Sequence, residues 1–192
     1  MFDGSPIPDP TQQLGPWLVV LAACAAACMT DLRDRRIPNA ITLALWISGL
    51  VFSVMTGGAA DLGGAFAASV LLALPYVILF LFAGGGAGDA KLMAGVGAWL
   101  GLMPGGYVLV VVALVGGIAG LAVGLVRGQS RRTFGHLAFA TTGLIGLAHG
   151  RLRPSECAAF MPPVGGAHRI PYGVAIFLGV TSAFVGALLW HG

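Results

Sequence analysis

Charge is what this 192-residue chain has least of: seven Asp and Glu and ten Lys and Arg, 9% of the residues, against 57% hydrophobic. A water-soluble domain carries roughly 25% charged residues, so a soluble fold is excluded and an integral membrane protein is expected, as the mean hydropathy of +0.91 also says. Cysteine is nearly as scarce. Cys24, Cys28 and Cys157 form no CxxC pair, which argues against a zinc ribbon and a disulfide framework, and Cys24 and Cys28, four apart on one helix face, read as buried thiols. HExxH is missing and the histidines at 136, 149, 168 and 191 are scattered, so no metal site is expected. GxSxG is missing too, and Ser48, Ser53 and Ser69 have no histidine partner in the helices, which argues against a serine hydrolase. A net charge of +3 is accounted for by basic loops on anionic lipid, and no nucleic-acid partner is expected.

What the chain does have is long apolar runs. Gly15 to Thr30, Ala40 to Gly57, Leu62 to Ala83, Ala90 to Met103, Tyr107 to Val126 and Tyr172 to Trp190 are read as membrane helices. The expected fold is an all-α, polytopic bundle of about six transmembrane helices forming a single domain over residues 1–192. In that arrangement all ten basic residues fall on one side: Arg33, Arg35 and Arg36, then Lys91, then Arg127, Arg131, Arg132, Arg151, Arg153 and Arg169. The positive-inside rule makes that side cytoplasmic and turns both termini outward. Residues 1–14 become a short extracytoplasmic tail, and with Asp3, Asp9 and no basic residue they do not read as a cleavable signal peptide. Residues 127–171 become a cytoplasmic-side loop in which Phe134 to His149 is taken as an interfacial or re-entrant segment, since a seventh span would carry Arg151, Arg153 and Arg169 outside. Glycine, at 31 residues, is abundant. Gly97 and Gly101, and Gly116, Gly120 and Gly124, recur every fourth residue and predict close helix packing.

Two stretches break the apolar pattern. "TDLRDRRIPN", residues 30–39, places Asp31 on the last turn of the first helix and three arginines in the headgroup layer, after which Pro38 and Asn39 restart the chain with Asn39 as helix N-cap. By themselves Asp31 and Asp34 read equally as solvated acids balancing arginines. "GGGAGDAKL", residues 84–92, places Asp89 at the head of a helix expected to end at Pro104, about 21 Å long and too short to span alone. Asp89 therefore belongs inside the membrane profile, beside a cavity that water reaches, whether or not it also caps its helix. Two aspartates on one side of the membrane suggest carboxylates that share a proton, one drawing a proton from water and the other donating to a scissile carbonyl. The glycines leave room for an extended peptide, and an intramembrane peptidase follows as an expectation.

Together "DLRDRRIPN" and "GAGDAKL" resemble the type IV prepilin peptidases, membrane aspartic proteases of the GxGD class that includes presenilin and the archaeal preflagellin peptidase. "IPYGVAIFLG", residues 170–179, resembles the last helix of the short members serving Flp/Tad-type pili. The resemblance implies that Asp31 and Asp89 are the catalytic pair, with Asp34 the rival for the first place. It makes Gly86 and Gly88 the glycines of GxGD and Lys91 the basic residue after it. Arg36, Pro38 and Asn39 then shape the loop, Arg36 being an alternative stabiliser of the pair's charge, and Arg169, Pro171 and Tyr172 match the closing motif in a structural role. The implied substrate is a prepilin with a basic leader, a glycine before the cut and a hydrophobic helix; the implied location is the bacterial inner membrane, with the site facing the cytoplasm. Larger members carry a CxxC domain and methylate the new N-terminus. Neither CxxC nor a glycine-rich nucleotide loop occurs here, so no cofactor and no methyl transfer are expected. Two alternatives remain open: a small proton- or cation-coupled transporter using the same aspartates, and a non-catalytic pilus or secretion assembly subunit.

Overall fold

A computed structural model describes residues 14–83, 86–126 and 172–191, all helical apart from the joints between elements. The helices are α1 (Leu14–Asp34), α2 (Asn39–Ala83), α3 (Ala87–Leu100), α4 (Leu102–Val126) and α5 (Tyr172–His191). Phe134 to His149 and the basic residues from Arg127 to Arg169 lie outside the described residues.

α1 ends because Arg35 takes the left-handed conformation, φ 51°, and its N–H bonds back to the Asp31 carbonyl at 3.0 Å. Glycine ordinarily fills that place, and a side chain there costs about 1–2 kcal/mol. Arg35→Gly is therefore expected to stabilise the protein by about 0.5–1 kcal/mol after glycine's extra unfolded-state freedom is subtracted, measurable by denaturant titration in detergent. α2 then starts one residue earlier than expected. The Pro38 carbonyl accepts from the N–H groups of Ile41 and Thr42 at 3.2 and 3.4 Å, so Pro38 takes the capping position and Asn39, expected as N-cap, is already helical.

Straightened out, the 45 residues of α2 would reach about 68 Å, twice the hydrocarbon thickness. They double back instead. Gly58 has non-helical dihedrals (φ 70°, ψ −151°), a region open to glycine, and the rings of Trp46 and Phe66 on either side of it meet at a tilt with centroids 6.3 Å apart, where a straight helix would hold them about 30 Å apart. The two arms, residues 39–57 and 59–83, clasp α3. Gly95 of α3 lies on Leu45 of the first arm, and Gly97 lies on the backbone of Ala68 and Ser69 in the second. Gly49 of the first arm sits on Ala98 and Trp99, while Trp99 stacks on Phe52 at 5.0 Å and donates its indole N–H to the Leu45 carbonyl at 2.9 Å.

α3 is 14 residues long, as expected, but a different residue ends it. Gly101, with φ +74°, closes the helix and has open space around its α-carbon, so it is a stop and not the packing glycine the four-residue repeat suggested. Pro104 falls in the first turn of α4, where a missing N–H costs nothing. α5 lies between α1 and α4: Trp17 meets Phe184 at 5.5 Å, and Gly179 admits Val112. Val20, Cys24, Leu92, Met93, Val96, Val112, Ile176 and Val180 fill the common core.

The outer surface is apolar too, with Leu18, Ile47, Phe66, Leu114 and Ile118 all exposed. Such a coat is a liability in water and a requirement in lipid. Among the described residues three helical stretches, Leu14–Asp34, Asn39–Phe80 and Tyr172–Leu189, are long and apolar enough to cross a membrane.

Candidate active site

The ends of four helices gather at one end of the bundle, and each brings part of a motif. Asp31 sits one turn before the end of α1, and Asp89 is the third residue of α3. In a chain so poor in charge both are buried, 8% and 9% exposed, whereas Asp34, the rival to Asp31, is exposed. A carboxyl group withdrawn from water needs polar partners in place. For Asp31 one partner is the start of α5: the Gly173 backbone N–H donates to Oδ2 at 2.9 Å. This is the positive end of a helix, the favourable place for an acidic side chain.

Gly86 holds the N-cap position, and the Asp89 N–H donates to the Gly86 carbonyl at 3.2 Å. The carboxyl folds back over Gly86 so closely that a Cβ there would lie 2.6 Å from Oδ2. Gly88 faces the other way, and a Cβ on it would lie 3.0 Å from Cβ of Ile37 in the loop after α1. Each glycine of GxGD thus makes room for one neighbour: Gly86 for the aspartate, Gly88 for the first motif.

A second contact ties the motifs. Lys91 donates from Nζ to Asn39 Oδ1 at 2.9 Å, across 52 residues of sequence, which is why the Asn39 side chain is not spent on a cap. The bond is exposed and its contribution is small; a double-mutant cycle of Lys91→Met and Asn39→Ala is expected to give a coupling energy below about 1 kcal/mol. Pro38 contributes the carbonyl that starts α2, and Arg36 is exposed on the same loop. Arg169 and Pro171 lie outside the described residues.

Sequence reasoning missed one participant, Tyr76, and gave Tyr172 a structural role alone. Tyr76, near the end of α2, and Tyr172, at the start of α5, meet edge to face at 6.2 Å, and both phenols lie within electrostatic range of Asp89. The Tyr172 hydroxyl rests against Gly116 of α4. Tyr172 therefore packs between Tyr76 and Gly116 while its neighbour Gly173 holds Asp31, so the head of α5 joins Asp31 to α2 and α4. Nothing in composition marks Gly173 among 31 glycines; its place directly after Pro171 and Tyr172, at a helix start, is the signal that was available.

Chemically, the arrangement offers two buried carboxyl groups on separate helices, a backbone N–H donor beside one and a glycine against the other. Among the described residues no group of three or more His, Cys, Asp or Glu is placed to hold a metal ion.

Several known proteins are similar in sequence to this chain. A prepilin leader peptidase/N-methyltransferase of Aeromonas salmonicida is 36% identical over 118 residues, 58% of this chain and 38% of that protein. One from Neisseria gonorrhoeae is 30% identical over 129 residues, covering 64% and 43%, and one from Burkholderia pseudomallei is 36% identical over 122 residues, covering 57% and 37%. The matches therefore span about two-fifths of these relatives' length. No solved structure gives a significant match. The pattern of the type IV leader peptidase family extends over residues 18–124, more than half of the chain and both aspartate motifs, and the chain belongs to that family.

Proposed function

We propose that this protein is an intramembrane aspartic endopeptidase that removes the leader from type IV prepilins of the Flp/Tad kind, with Asp31 and Asp89 as its catalytic pair. The observation that carries the reading is the burial of these two acids at one end of the bundle, on helices the two motifs lock together. One carboxylate takes a proton from water as its oxygen attacks the carbonyl carbon. The other, in its acid form, donates to the carbonyl oxygen. The resulting diol then collapses, the C–N bond breaks, and a proton passes to the leaving amine. Both roles are exchanged in the process, so the pair acts as a unit.

In the six-helix reading, with the arms of α2 counted separately, the positive-inside rule favours the cytoplasmic side for the ends bearing Arg33, Arg35, Arg36 and Lys91. There the site meets the junction between a basic leader and a membrane helix. The bilayer is the second partner, and methyl transfer forms no part of this reading.

The test is co-expression with a Flp-type prepilin in cells lacking other prepilin peptidases, followed by N-terminal sequencing of the pilin. Cleavage after the leader's glycine is expected. An intact leader in the presence of folded, membrane-inserted protein would refute the proposal.

A further inference from the structure

We propose that the head of α5 belongs to the catalytic machinery as a positioning device: the Gly173 amide fixes one oxygen of Asp31, and the missing side chain at Gly173 lets the carboxyl sit there. The inference rests on the two-aspartate reading above and assigns a task to a residue outside both aspartate motifs.

Three observations meet at this point. The Gly173 N–H donates to Asp31 Oδ2 at 2.9 Å across 142 residues of sequence. A Cβ on Gly173 would lie 3.0 Å from both Cβ and Oδ2 of Asp31, tighter than nine in ten real Cβ contacts, so a side chain there obliges the carboxyl to give way by a few tenths of an ångström. The neighbouring Tyr172 is pinned from two sides, by the Tyr76 ring and by Gly116, so the backbone carrying the donor has little room to retreat. The donor lies in the first turn of α5, where a backbone N–H has no partner within its own helix. Binding Asp31 therefore takes nothing from the helix. With Oδ2 held, Oδ1 is the oxygen presented to the attacking water, and the orientation of Asp31 is set before substrate arrives.

Displacing a reacting group by an ångström costs about 10²-fold in rate, and a shift of a few tenths of an ångström correspondingly less. Gly173→Ala is accordingly expected to lower kcat by about 3- to 10-fold while KM stays within about two-fold, since leader binding involves other surfaces. The control is Gly179→Ala on the same helix, whose new methyl meets Val112 and not the site. It is expected to lose stability while each folded molecule keeps its native kcat. Native kcat in Gly173→Ala, or a loss explained wholly by its unfolded fraction, overturns the inference.

A second measurement needs no change at residue 173. In detergent micelles with ¹⁵N-glycine labelling, the Gly173 amide proton is expected to shift in Asp31→Ala and to stay in place in Asp34→Ala; an unmoved resonance in Asp31→Ala overturns the inference even if Gly173→Ala does not fold. Inert Asp31→Asn and Asp89→Asn beside a fully active Gly173→Ala sink this inference alone. Active aspartate variants sink the peptidase mechanism, and this inference with it.

Discussion

Asp31→Asn and Asp89→Asn are each expected to reduce prepilin cleavage by about 10²–10⁴-fold, and the double variant is expected to be no worse than the poorer single one. Asparagine keeps the shape of aspartate and can still accept the Gly173 N–H, so the fold has little reason to change at Asp31. What it loses is the ability to exchange a proton. If one carboxyl removes the proton from water and the other supplies the carbonyl, either loss stops the same step, and two losses cannot stop it twice. Additive effects in the double variant would mean that the acids act in separate steps. Asp34→Asn, at an exposed position three residues on, is expected to cleave within about two-fold of the native rate, as surface substitutions commonly leave function intact. The readout is the ratio of precursor to mature pilin, normalised to the folded enzyme in the membrane.

The second large effect is structural. Gly97→Ala is expected to destabilise the protein by about 3 kcal/mol, the upper end of the range for overpacking, because its methyl would meet backbone and not a side chain that can turn aside. The new Cβ would lie 2.7 Å from the Ala68 carbonyl oxygen and 2.9 Å from the Ser69 nitrogen. Either α3 moves away from the second arm of α2 or that arm distorts, and Asp89 travels with α3 in the first case. Gly106→Ala, on α4 with nothing within 4 Å of the added carbon, is expected to be near neutral. Gly95→Ala should fall between them, because Leu45 opposite it is a flexible side chain. Unfolding by SDS titration ranks the three; equal stabilities would show that backbone proximity at Gly97 is not limiting.

Much of the site was legible because charge stands out in an apolar chain. Asp31 and Asp89 stood out by their spacing and by the short helix behind Asp89; both are buried, and their pairing in catalysis is the proposal above. Local rules failed where a distant residue outbid a near one. Asn39 looks like an N-cap from its neighbours, yet Lys91 takes its side chain. Gly101, not Pro104, stops α3, because a left-handed glycine ends a helix while a proline can begin one. The doubling back of α2 was anticipated as two helices with a loop between them, and the structure needs Gly58 alone for the reversal. Gly173 was invisible because its importance lies in the residue it faces, Asp31, which is far away in sequence.

The hydrogen bond between Gly173 and Asp31 also sets a clock on biogenesis. Both aspartates are synthesised before residue 90, but the donor that orients the first arrives more than eighty residues later, with the head of α5. A nascent chain therefore carries both aspartates long before it can hold Asp31 in place. On the two-aspartate reading proposed above, proteolytic competence would then wait until translation has reached the last described helix.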